Sequence, residues 1–110
     1  MARPMRIVAS AAGPTSPFVF SPMTSEAFSV GLGVALSAGA ALTYTVEHTF
    51  DDVFAPNFNP ATATWYPHAT LAAQTASKDG NYSAPVMASR LNVTAYTSGS
   101  ATFTAIQAGV

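Results

Sequence analysis

Glu47, His48, Asp51 and Asp52 are the one place in this 110-residue chain where ionisable side chains crowd together. Carboxylates and an imidazole at such spacing could hold a divalent cation or run acid–base chemistry. Alternation along an extended backbone argues against it: in a strand Glu47 and His48 point to opposite faces, and Asp51-Asp52 are natural turn formers. A second cluster, Trp65-Tyr66-Pro67-His68, offers aromatic faces on which a sugar or peptide could stack. The bland alternative makes Trp65 a filler with its N–H bonded locally and His68 a turn residue. Nucleophile chemistry has little to draw on. There is no G-x-S-x-G elbow, and two histidines and five acids leave scant material for a triad. Cysteine is absent, which excludes thiolate zinc sites, disulfides and cysteine nucleophiles. Asn81-Tyr82-Ser83 and Asn92-Val93-Thr94 match glycosylation acceptors, but so short a triplet recurs by chance. Gly31-Leu32-Gly33 lies inside a strand pattern and is no phosphate loop. The reading is therefore no enzyme, no cofactor and no metal.

The elements around these residues read as strands. Val30, Leu32, Val34 and Leu36 alternate with Ser29, Gly31, Gly33, Ala35 and Ser37 within Glu26 to Ala38, and Leu42, Tyr44, Val46, His48 and Phe50 alternate with threonines and Glu47 after a turn at Gly39. Leu91, Val93 and Ala95 alternate with Arg90, Asn92, Thr94 and Tyr96, and Phe103 anchors a further strand after Gly99. Each pair reads as a β-hairpin. Asp51 to Thr64 is a long loop, Lys78-Asp79-Gly80-Asn81 a turn, and His68 to Ser77 fits either a helical turn or a strand. Arg90 has Glu47 as a partner within reach, or else a neighbouring subunit. Four prolines mark residues 1–22 as an extended arm with short strands at Arg6 to Ser10 and Phe18 to Phe20, either a peripheral strand or a docking arm. Residues 23–110 make a single domain. The expected class is all-β: an antiparallel β-sandwich, jelly-roll-like or Greek-key, of about seven or eight strands.

Composition then bounds what the domain can do. Charged residues are only 8% of the chain, against roughly 25% in an ordinary soluble protein. So little charge suits a surface covered by copies of itself or by a larger assembly. Net charge is −1, so nothing favours nucleic acid or an acidic membrane surface. No stretch reaches the roughly 20 apolar residues that span a bilayer.

Three stretches, Leu36 to Asp52, Thr75 to Tyr82 and Arg90 to Ser100, together resemble small β-sandwich virion proteins of tailed bacteriophages, over roughly Ser29 to Gln107. The resemblance implies a non-enzymatic structural role in the virion, assembled in the host cytoplasm. It implies a capsid cement or decoration protein that seals the shell through protein–protein contacts, or a neck or tail accessory protein. The major capsid protein, other virion proteins and copies of itself are the implied partners. Arg3, Arg6, Phe54, Phe58, Trp65 and Tyr66 are the candidate contact residues. The alternative is a carbohydrate- or receptor-binding module with Trp65, Tyr66 and His68 at its site.

Overall fold

The computed structural model describes residues 4–20 and 28–107. Nine strands appear in chain order: β1 (Met5–Ala9), β2 (Gly13–Pro14), β3 (Phe18–Val19), β4 (Val30–Leu36), β5 (Ala41–Thr49), β6 (Tyr66–Pro67), β7 (Lys78–Tyr82), β8 (Ala88–Ser98) and β9 (Ala101–Gln107). They form two antiparallel sheets. One has the order β1-β9-β4-β7, the other β2-β8-β5-β6, with β3 also on β8. The all-β sandwich expectation holds. The strand count exceeds it because β2 and β3 are two pieces of one edge strand, broken where Pro14 and Pro17 withhold backbone donors.

Both expected hairpins are corrected. β4 pairs with β7 and β9, never with β5, while β5 pairs with β6 and β8. Likewise β8 and β9 lie in opposite sheets. Each Gly-containing turn carries the chain across the sandwich as an arch. The two arches stack, so that β4 lies beside β9 and β5 beside β8. Alternation tells which side chains face the core, and an arch satisfies it as well as a hairpin does. The arch turns bond to each other: Ser37 N donates to Ser100 O (2.9 Å) and Ser100 N to Ser37 Oγ (2.9 Å). Gly99 has φ +89°, and a Cβ there would lie 2.5 Å from Ala40 Cβ. Only glycine fits both the conformation and the gap.

The core lies between the sheets. Val30, Leu32 and Val34 from β4, Leu42, Tyr44 and Val46 from β5, Leu91 and Val93 from β8, and Phe103 from β9 are all buried, as expected from their phase. Leu36, expected with them, is half-buried against the cluster. Two register shifts in the β5–β8 pairing, between Ala41 and Leu42 and between Thr43 and Tyr44, change the phase of β8. Ala95 is therefore exposed, and Tyr96 packs on the core with its hydroxyl donating to Gly99 O (2.9 Å).

Lys78 to Asn81, expected as a turn, belongs to strand β7. Gly80 serves close packing: a Cβ there would sit 3.0 Å from Leu71 Cδ1 and 3.2 Å from His68 Cε1. Residues 68–76 are neither helix nor regular strand. They zigzag along β5, with His68 N donating to Val46 O, Val46 N to Leu71 O, and Tyr44 and Gln74 exchanging both backbone bonds. The bulge between these contacts drops Leu71 into the core at 0% exposure. Over its described part, the N-terminal stretch follows the peripheral-strand reading, with β1 on the first sheet and β2 and β3 on the second.

Candidate functional site

Three surfaces gather the residues that could carry function. The first is the outer face of the β5–β8 pair. Glu47 and Arg90 are direct cross-strand partners, so their side chains share a face, and Arg90 Nε donates to Glu47 Oε1 at 2.8 Å. Asn92 Nδ2 donates to the other carboxylate oxygen (3.4 Å). The Trp65 ring lies over the Arg90 guanidinium, 4.0 Å from ring centroid to Cζ. Trp65 Nε1 and Arg90 Nη1 both donate to Pro60 O (2.9 and 3.4 Å). The expected Glu47–Arg90 bridge is thus present, and it pins the 51–64 loop to the sheet. Trp65 clamps that loop from outside and does not fill the core, although its N–H is bonded locally as expected.

That loop holds its own shape. Asp51 Oδ2 accepts from Thr64 N across its base (2.9 Å), Asp52 Oδ1 from Phe54 N (3.0 Å) and Asn59 Oδ1 from Ala61 N (3.0 Å). These are side chain-to-backbone turn bonds. Glu47 and His48 fall on opposite faces, as their spacing predicts. Among the described residues no three His, Cys, Asp or Glu side chains converge to hold a metal ion. Phe54 is exposed and Phe58 half-buried on this loop.

The second surface is the end of the sandwich away from the arches, and sequence reasoning missed its centre. Tyr82 of β7 reaches from one sheet to the other. Its hydroxyl lies 3.0 Å from His48 Nδ1 and 3.5 Å from Ser89 Oγ. Ser89 Oγ donates its proton to Glu47 O (2.9 Å). Both histidines of the chain flank the Tyr82 ring edge-on at 5.0 Å. His68 Nε2 donates to Asn81 O (2.7 Å), and its Nδ1 accepts from Thr70 N (3.1 Å). Tyr66 stacks at 6.0 Å on His48, and Phe50 meets His48 edge-on at 5.4 Å. An open cleft of about 390 Å³ lies here, lined by His48, Phe50, His68, Asn81, Tyr82 and Val86. The available signal was phase: His48 shares the inward face of Leu42, Tyr44 and Val46.

This arrangement suits cohesion better than catalysis. Burial pushes the Tyr82 hydroxyl up to about 12, against the small opposing effect of its Ser89 hydrogen bond, so it stays protonated at neutral pH. Burial, with the neighbouring His68, lowers the His48 pKa. Ser89 is fully buried and cannot meet a substrate. The three residues expected to share a sugar site do not meet. Tyr66 lies on the His48 side with His68, and Trp65 lies over Arg90 on the opposite face, because neighbours in a strand point apart.

The third surface is the outer face of the β1-β9-β4-β7 sheet. Gly31, Gly33 and Ala35 run down its middle, and a Cβ at either glycine would meet nothing within 4 Å. Thr102, Thr104 and Ile106 of β9 and Val8 of β1 share this outer face. Val8 and Ile106 are 58% and 45% exposed. Of the sequence-selected contact residues, Arg6 is exposed on β1 beside Val8, Tyr66 is exposed at the other end, and Arg3 lies outside the described residues.

Fold and surfaces together define a two-sheet antiparallel β-sandwich whose described residues hold no catalytic constellation. No family model matches the chain, and no curated protein matches it. A solved structure from Bacillus endospore appendages, described as a family of disulfide-linked pili, is similar at 13% identity and a TM-score of 0.47, over 97% of this chain and 85% of that one. The present chain has no cysteine, and no role is transferred across so remote a likeness. The bacteriophage expectation is corrected here. The similar structure comes from a bacterial appendage and not from a phage particle.

Proposed function

We propose that the protein is a non-enzymatic structural subunit that works by associating with copies of itself. One observation carries this reading: the outer face of the β1-β9-β4-β7 sheet is smooth along Gly31, Gly33 and Ala35, exposes Val8 and Ile106, and carries its charges on the two edge strands, Arg6 on β1 and Asp79 on β7. Such a face suits close approach by another protein layer. The low charge of the whole chain agrees with a surface meant to be covered. Counted with β2 and β3 as one strand, the sheet orders become 1-8-3-6 and 2-7-4-5, which is the connectivity of a jelly roll, a frequent scaffold for assemblies. Arg6, Phe54 and Tyr66 are exposed and available as contacts, whereas Trp65 and Phe58 support the loop. Sedimentation velocity over a wide concentration range tests the reading. Concentration-dependent growth in mass is expected, and a monomer persisting to millimolar concentration would overturn it.

A carbohydrate-binding module is the second reading, favoured by the exposed rings of Phe50 and Tyr66 beside His48. A glycan-binding screen that detects a ligand with the native protein, lost in Tyr66→Ala with folding intact, would support it. An empty screen would remove it.

A further inference from the structure

The four sheet edges are not equally protected. β2 and β3 are short and interrupted by Pro14 and Pro17. β6 has only two residues, one of them Pro67, and residues 68–76 continue along the same side of β5 as an irregular segment. β7 has an edge carbonyl, that of Asn81, occupied by His68 Nε2. β1 has none of these devices. It pairs with β9 over all five residues without a bulge or an internal proline, and no described residue pairs with its other side. Unpaired, regular edges are templates for strand addition.

β1 also carries unfinished burial. Met5 and Ile7 point inward and pack on the core, yet remain half-buried, with no described strand beyond them. On the outer face Val8 is 58% exposed, and Arg6 has no ion-pair or hydrogen-bond partner among the described residues.

Resting on the self-association reading, we propose that β1 is the interface: two copies pair β1 to β1 antiparallel about a two-fold axis centred on Ile7. The two four-stranded sheets then become one continuous sheet. Ile7 meets Ile7 of the second copy, completing the inner face, and Met5 lies opposite Ala9. Arg6 lies opposite Val8 of the second copy, so its aliphatic stem covers the valine while its guanidinium stays in water. Centring the axis on Arg6 would instead set like charges face to face, which disfavours that register.

The register fixes the sign of two substitutions. Val8→Lys puts a cation opposite Arg6 twice per dimer and weakens dimerisation. Val8→Glu creates two cross-strand ion pairs and tightens it, each by about tenfold given the size of cross-strand charge effects. Arg6→Glu combined with Val8→Lys restores the opposite-charge pairs. Sedimentation equilibrium at low ionic strength reads all three, with thermal melts confirming that the exposed position tolerates each change. Independently of any variant, amide hydrogen exchange of the native protein should slow within Met5–Ala9 as concentration rises. Equal dimerisation in the two Val8 variants, or association without added protection in β1, would overturn this interface while leaving self-association intact. Absence of any association would overturn both.

Discussion

Two ends of one sandwich are closed in contrasting ways. At the arch end the backbone does the work: Ser37 and Ser100 exchange hydrogen bonds, and Gly99 lies so close to Ala40 that no side chain fits between them. At the far end, where Val30 pairs with Tyr82, side chains do it: Tyr82 spans the sheets to His48 and Ser89, with His68 on its other flank. The first closure depends on distance alone and is blind to pH. The second is built from titratable groups, and its strength follows their protonation.

The sharpest way to break the arch end is Gly99→Ala. The new Cβ would overlap Ala40 and be forced into a positive φ, and together these should cost about 3–4 kcal/mol, read as a lower urea midpoint. The far end should answer to alkali instead. The Tyr82 hydroxyl is neutral in the fold up to about 12 but ionises near 10.0 when unfolded. Its contribution is complete below pH 10 and lost as pH rises towards 12, a drop of about 2–3 kcal/mol by linkage. Tyr82→Phe should flatten that limb of the stability profile.

Arg90→Met tests whether the loop clamp belongs to either closure. It leaves the Glu47 carboxylate half-buried without its cation and should cost about 2 kcal/mol, with faster amide exchange across residues 51–64 and no change at the arches. On the acid side, the His48 pKa is lowered in the fold from 6.5. The unfolded chain therefore binds the proton first, and stability should decline as pH falls below about 6.5. His48→Phe should remove that slope, measured by denaturation at fixed temperature from pH 8 to 4. The smallest effect expected is Gly39→Ala. Gly39 also has positive φ (+73°) but open space around it, so only the backbone term of about 1 kcal/mol remains. The difference from Gly99→Ala isolates the steric part of the arch closure.

The two closures also differ in how far they could be read from sequence. The alternating residues of β4, β5, β8 and β9 announced their inward faces, and Glu47 was a foreseeable partner for Arg90. Neither arch was foreseeable, because Gly39 and Gly99 suit a turn within a sheet as well as a turn between sheets. Thr94 and Thr97 carry no sign that the pairing slips beside them, so Tyr96 and Ala95 were assigned to each other's faces. Gly80 looked like a turn residue among Lys78, Asp79 and Asn81. Its actual reason is Leu71, which approaches from an irregular segment that no periodicity describes. Tyr82 went unremarked because its partners lie 34 and 7 residues away, across a gap that only the tertiary fold closes.

The pairing order has a consequence for how the chain is made. The central contact of one sheet joins β4 to β9, and that of the other joins β5 to β8. With successive strands sent to opposite sheets at nearly every step, few neighbours in sequence become neighbours in a sheet. A nascent chain emerging from the ribosome can thus complete the second sheet only once β8, ending at Ser98, is free, and the first only once β9, ending at Gln107, is free, and its apolar strands wait exposed through most of synthesis. Folding should be slow for so small a domain, and chaperone dependence and yield should respond more to changes in β8 and β9 than to changes of equal size in β1.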